Sequence, residues 1–222
     1  MKKLILILLG VMALNALSAQ IEKTDSIYNI WDQVGEMAFK DNYLYVKTEN
    51  GFRVIDYTDV ADPVVVSQFH DQGNFNSELI KIEGNYLYSN FLDGIEIFDI
   101  TNRQNPGKIG EITKQKSPII DFLVVNNHVY CIEYRRDPIF GNVAWLVTHD
   151  VTDKSTPVYK NSEEIGSYGS ISDFTTGNHI YVKKITGTYP QVATKSYVYS
   201  IASPAFPTNL GETSYFPAYD YT

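Results

Sequence analysis

Apolar and polar positions alternate along this chain in short runs, broken by Gly, Asn, Asp or Pro. Period-two runs of about five residues bounded by turn formers predict half-buried strands. One stretch shows the pattern in full, with strands expected over 78–83, 86–90, 95–100 and 106–112 and the pair Gly84-Asn85 turning the chain between the first two. The same order returns four times. Turn pairs Asp41-Asn42, Gly84-Asn85, Asn126-Asn127 and Gly177-Asn178 precede Asp56, Asp99, Asp150 and, in the fourth copy, Ser200. Pro63, Pro106, Pro157 and Pro207 each follow seven residues later.

A strand-rich period of 43 to 51 residues is that of propeller blades, in which one small sheet cannot bury its own faces and stacks on its neighbours. The expected fold is therefore all-β, a β-propeller of about four four-stranded blades over 34–76, 77–119, 120–171 and 172–213. Four blades lie near the lower limit for a ring, so an open or incomplete ring is expected, with self-association through uncovered blade edges. The apolar stretch 26–31, within an N-terminal segment 20–33, is a candidate closing strand.

Each local signal has a physical reason. The strand a to strand b turn takes Gly, Asn or Asp because a two-residue primed turn needs positive φ. Asp56, Asp99 and Asp150 each precede Thr by two residues, which suits a carboxylate that caps backbone N–H groups in the loop from strand c to strand d. Proline at the entry to strand d falls where a missing N–H costs least. The strand c sequences Phe52-Arg53-Val54-Ile55-Asp56, Ile95-Glu96-Ile97-Phe98-Asp99 and Leu146-Val147-Thr148-His149-Asp150, with the Asp-to-Pro spacing, resemble the LVIVD-repeat proteins, exported bacterial β-propellers. The fourth copy departs from that pattern, reading Tyr197-Val198-Tyr199-Ser200 with Ala202 in place of Thr. The resemblance implies a fold and an extracytoplasmic setting. It carries over no catalytic residue.

Composition changes the picture in three places. Lys2 and Lys3, an apolar run from Leu4 to Leu17 and small residues at Ser18 and Ala19 read as a signal peptide over 1–19, too short to span a bilayer. An exported protein in the periplasm, at the cell surface or in the medium is expected, with no transmembrane segment after cleavage. Losing the two leader lysines takes the formal charge from −8 to −10, which argues against nucleic acid as a partner. Cys131 is the single cysteine, so no intrachain disulfide can form. It reads as a small buried hydrophobe on a strand.

The distance from the second turn residue to the Asp position is 14 residues in the first two copies but 23 and 22 in the third and fourth. Both insertions fall between strands b and c, on one face of a propeller. They place Tyr134, Arg135, Arg136, Asp137 and Phe140 in one loop and Thr186, Tyr189, Gln191, Thr194 and Lys195 in the other. One-sided insertions with aromatic and Arg content suit a binding face for a protein or glycan; longer hairpins that cover a blade edge are the alternative. Glu36, Glu78, Asp121 and Asp173 lie near the starts of the a strands, toward the mouth of a central channel. Converging carboxylates there could hold a hard cation, while a hydrogen-bonded role at strand entry is the simpler reading. No other cofactor is expected. His128 and His179 hold the positions of Tyr43 and Tyr86. No Gly-x-Ser-x-Gly elbow and no His-Glu-x-x-His occur, so a binding scaffold is expected ahead of an enzyme with a site assembled from several blades, or a fragment of a longer propeller.

Overall fold

The computed structural model describes residues 34–48, 51–70, 79–91, 94–136, 141–186 and 193–213, with the backbone alone at Val34, Asp173, Phe174 and Thr186. The proposed leader 1–19 and closing segment 20–33 lie outside the described residues. All described secondary structure is β.

Four antiparallel meanders form, each with its strands in sequence order. The first holds β1 (Val34–Lys40), β2 (Tyr43–Thr48), β3 (Gly51–Asp56) and β4 (Val64–His70). The second holds β5 (Ile80–Glu83), β6 (Tyr86–Phe91), β7 (Gly94–Asp99) and β8 (Gly107–Thr113). The third holds β9 (Ile119–Val125), β10 (His128–Arg135), β11 (Val143–Asp150) and β12 (Val158–Gly166). The fourth holds β13 (Tyr168–Thr176), β14 (His179–Thr186), β15 (Ala193–Ser200) and β16 (Thr208–Thr213). This is the blade architecture of a β-propeller, and each blade is one sequence repeat.

Register confirms the alignment of the repeats. Tyr43 pairs with Asp56, Tyr86 with Asp99, His128 with Asp150 and His179 with Ser200, so both histidines are the equivalents of tyrosines. The turns differ from expectation in one respect. Positive φ falls on both central residues only at Asn126 and Asn127, whereas Asp41, Gly84 and Gly177 carry it at the first position alone. A primed turn of the second kind needs it only there.

A β-bulge recurs at one place in every sheet. The register between strands c and d slips between Val54 and Ile55, Ile97 and Phe98, Thr148 and His149, and Val198 and Tyr199. Each slip puts an extra residue into strand d, which twists the outer edge strand and spoils it as a template for further pairing. The connection from b to c follows a second rule. In the two short hairpins strand c opens on Gly51 or Gly94, and a Cβ there would lie 2.0 Å from the Phe69 carbonyl oxygen or 2.2 Å from that of Ile112. The longer hairpins open on Val143 and Ala193 instead.

The chain divides into two compact units, one comprising Met1–Ile80 with Ile100–Pro106 and the other Lys81–Asp99 with Gly107–Thr222. In the first unit Arg103 reaches from its loop to the first sheet. Its guanidinium lies 5.6 Å from the Tyr43 ring centroid and pairs with Asp41 at 3.1 Å, while it also donates to the Ile100 carbonyl. In the second unit Lys154, at the matching repeat position, lies 5.1 Å from the Tyr86 ring and donates to the Val151 carbonyl and Asn127 Oδ1, both at 2.7 Å. The fourth repeat has Pro204 at that position, and its carbonyl accepts from Tyr130 Oη at 3.0 Å. A cation over an aromatic face or a hydroxyl on a carbonyl thus fastens each of these loops to the sheet before it.

The core of the second unit lies between its stacked sheets. Tyr130, Ile132, Leu146 and Ile165 of the third sheet meet Ile171, Ile180, Val182 and Tyr199 of the fourth, all buried. Strand periodicity then turns Cys131, Glu133 and Arg135 to the opposite side of β10. Cys131 is fully buried and its thiol is pushed well up by burial, as expected of a small core residue.

Candidate binding face

The Asp positions cap their loops. Asp56 Oδ1 accepts the Thr58 N–H at 2.8 Å and the Thr58 hydroxyl at 2.6 Å, and Asp150 Oδ1 accepts the Thr152 N–H at 2.9 Å. In the fourth repeat Ser200 Oγ stands in, accepting the Ala202 N–H at a longer 3.3 Å. Asp99 and Thr101 are also engaged in polar contacts. The Thr152 N–H, then its hydroxyl, and Lys160 at 3.2 Å hold the Asp150 carboxyl down at about 2. Because its folded pKa lies below the unfolded value, this stabilisation is fully present above about pH 4 and is lost as the pH falls toward 2. Asp150→Ala is expected to cost about 1 kcal/mol at neutral pH, a small figure because the group is solvent-screened. Its stability, followed by urea melts between pH 5 and 2, should fall less steeply than that of the parent, and parallel acid limbs would refute the cap.

The carboxylates at strand entry are engaged with backbone. Glu36 Oε2 accepts the Ile80 N–H at 2.9 Å, and Asp121 Oδ2 accepts the Ile171 N–H at 2.8 Å, each acid bonding the strand a that follows its own by one repeat. Glu78 and the Asp173 side chain lie outside the described residues. Among the described residues no group of three or more His, Cys, Asp or Glu gathers as metal ligands would. His149 is buried against Tyr159, and burial lowers its pKa to about 4, so it stays neutral in a slot that Phe98 and Tyr199 fill elsewhere.

The third and fourth b–c hairpins outgrow the first two. Strands β10, β11, β14 and β15 each have eight residues, against six in β2, β3, β6 and β7. Tyr134, near the end of β10, meets Tyr168 at the start of β13 edge-on, with centroids 5.3 Å apart. That contact joins the third hairpin to β13, where Tyr168 pairs across the strands with Ile185 near the end of β14. Arg135 and Arg136, next along the chain, are exposed, Arg135 on the other side of β10 and 5.6 Å from the Trp145 ring centroid. Lys195, at the base of the fourth hairpin, is tied to Glu212 at 2.7 Å. Phe140, Asp137, Tyr189 and Gln191 lie outside the described residues, as does the Thr186 side chain.

Sequence reasoning missed a clamp beneath this face. Glu133, with no exposed surface, accepts N–H groups from Gln115 at 2.8 Å, Lys116, and Ser117 at 2.8 Å, while the Tyr134 N–H donates to the Pro118 carbonyl at 3.0 Å. One buried carboxylate therefore satisfies three successive donors in the link from β8 to β9. The only sequence signal was an acid at a core-facing position of a strand.

Comparison with known proteins agrees with the fold. The profile described as LVIVD repeat matches residues 33–71 and 76–113, which are the first two blades. The first two blades are thus LVIVD repeats, and the third and fourth carry the same register with enlarged hairpins. Among curated proteins none matches the sequence. Solved structures similar in fold include a functionally unknown protein from Desulfotomaculum acetoxidans (TM-score 0.54, 12% identity, 83% of this chain and 58% of that one). AztD from Citrobacter koseri is also similar (TM-score 0.53, 16% identity, 81% and 46%). So is a chain of the S. cerevisiae assembly of Dbp5 with Nup159 and Gle1 (TM-score 0.51, 10% identity, 82% and 47%). The chain spans about half the length of these structures. At such identities the likeness concerns fold alone.

Proposed function

We propose that this protein is an exported binding scaffold of the cell envelope whose partner docks on the b–c face of the third and fourth blades. The observation that carries this reading is the pair of enlarged hairpins on one end of adjacent blades, of which that in the third blade reaches Tyr168 of β13 through Tyr134 and displays Arg135 and Arg136. Repeat scaffolds keep their blades and vary their loops, so loops that grow on one side mark the contact surface. Aromatic and Arg side chains are the residues that dominate binding energy at such surfaces. The leader-like 1–19 segment and the acidic net charge suit a soluble exported chain.

The test replaces 135–142 by a two-residue connection like those of the first two blades. Loop shortening costs little entropy, so the far-UV spectrum and cooperative melt should persist. Retention of the mature chain on an envelope preparation should fall by about tenfold or more, the loss of a small cluster of anchoring side chains. Undiminished retention by the folded variant would refute the reading.

A further inference from the structure

Strand c carries a core side chain one residue before its capping position in every repeat. Ile55, Phe98 and Tyr199 fill that slot in the first, second and fourth sheets, and His149 fills it in the third. Tyr199 faces the third sheet, so by the same register His149 faces the second. It is 2% exposed, and among the described residues neither Nδ1 nor Nε2 meets a hydrogen-bond partner. A neutral imidazole so placed gives the core nothing that a phenyl ring would not, and it carries the cost of two unsatisfied nitrogens. What sets histidine apart in that slot is the proton it can take up.

The cover over this ring is thin on one side. β12 is the outermost strand of its sheet, and Tyr159, which meets His149 edge-on with centroids 5.9 Å apart, is 41% exposed. The β11–β12 ladder slips between Thr148 and His149, so the strand is held least regularly at that point. No counter-charge waits beside the ring among the described residues. On its side of the sheet Val129 and Val147 are apolar and Cys131 is a buried thiol, while Glu133 is bound to its three amides and Glu164 stands opposite Trp145 at the far end. Asp150 and His128 pair on the other side, where Lys160 engages Asp150. From the second sheet Tyr88, in the register position of Tyr130, faces it, and Lys154 is committed to Val151, Asn127 and the Tyr86 ring. Burial alone lowers the His149 pKa, to about 4.

We propose that His149 is an acid-sensitive latch: a proton taken up on its imidazole drives the ring out from beneath Tyr159 and frees the first half of β12 from the third sheet. Closed, the slot excludes the proton; opened, the ring meets water and returns to its ordinary value of 6.5. Opening therefore takes up one proton, and it is favoured as the pH falls from about 6.5 toward 4. Little apolar surface resists it, since Val158 and Tyr159 are exposed and Lys160 and Asn161 half-buried, whereas Ile165 at the other end of β12 stays in the core with the fourth sheet.

Amide hydrogen exchange at pH 7 and pH 5, corrected for the intrinsic pH dependence of exchange, tests the latch. Protection over the first half of β12 should fall about twentyfold between the two, the change for one proton bound with a pKa of 6.5 when open and about 4 when closed, while the β14 amides keep theirs. His149→Phe and His149→Ile put the side chains of Phe98 and Ile55 into the slot, and whichever folds should lose this dependence. An equal fall in a folded variant would assign the effect to another group and overturn the latch. Parallel loss in β12 and β14 of the parent would mean global acid unfolding and overturn it equally. An NMR titration decides without any variant, since a His149 ring that titrates near 6.5 with β12 still protected would also overturn it.

Discussion

Gly110→Ala will destabilise the protein by about 3 kcal/mol, at the upper end for overpacking, because the new methyl group has backbone in its way. A Cβ at Gly110 would lie 1.9 Å from the Lys154 carbonyl oxygen and 3.0 Å from its carbon. Relief by moving the loop is costly. Lys154 is pinned through its ammonium to Val151 and Asn127, and the next turn is closed by Asp153 Oδ1 accepting the Ser155 N–H and hydroxyl at 2.9 and 2.7 Å. Gly110 also directly follows the bulge in strand d, so the close approach is the point where the twisted edge of one blade seats against the loop of the next. Gly107→Ala in the same strand is the matched control, since nothing lies within 4 Å of its Cβ position. Thermal melts should separate the two by roughly 6 to 12 °C for a chain of this size. Equal melting temperatures would mean that the loop yields freely and that Gly110 is not a seating point.

The parts of this fold that were legible in sequence are those decided by neighbours in the chain. A turn pair declares itself through the φ that Gly, Asn and Asp tolerate, and Asp56 and Asp150 bond N–H groups only two residues away. Strand ends in the second blade accordingly fall within about a residue of expectation, except that β5 opens at Ile80, two residues later than expected. The recurrent bulge left no such mark, since Val66, Ile109 and Leu210 are ordinary strand aliphatics, Lys160 breaks even that pattern, and the slip is set by how strand d twists at the edge. Arg103 and Lys154 were equally opaque. Their partners Tyr43 and Tyr86 lie a whole repeat away, and only the stacking of sheets decides that a loop cation meets the start of strand b. The strand-entry acids were legible as acids and as strand residues, but their acceptor role toward Ile80 and Ile171 depends on that same stacking.

The second large effect is expected at Glu133, where Glu133→Ala should cost about 3 to 5 kcal/mol. The carboxylate is fully buried, and its removal strands the N–H groups of Gln115, Lys116 and Ser117 while opening a void beside β10. Each unsatisfied donor costs about 1 to 3 kcal/mol, discounted here because a link between strands can shift to find water. Glu133→Gln separates charge from shape. The amide oxygen still accepts, but its NH2 group faces donors, so about half of the loss should remain and the fold should survive. Hydrogen exchange provides a readout that a mere packing defect would not give, since the Gln115 to Ser117 amides should lose protection in the Gln variant while those of β11 keep theirs. Unchanged protection of these three amides in Glu133→Gln would show that the loop holds its shape without the carboxylate.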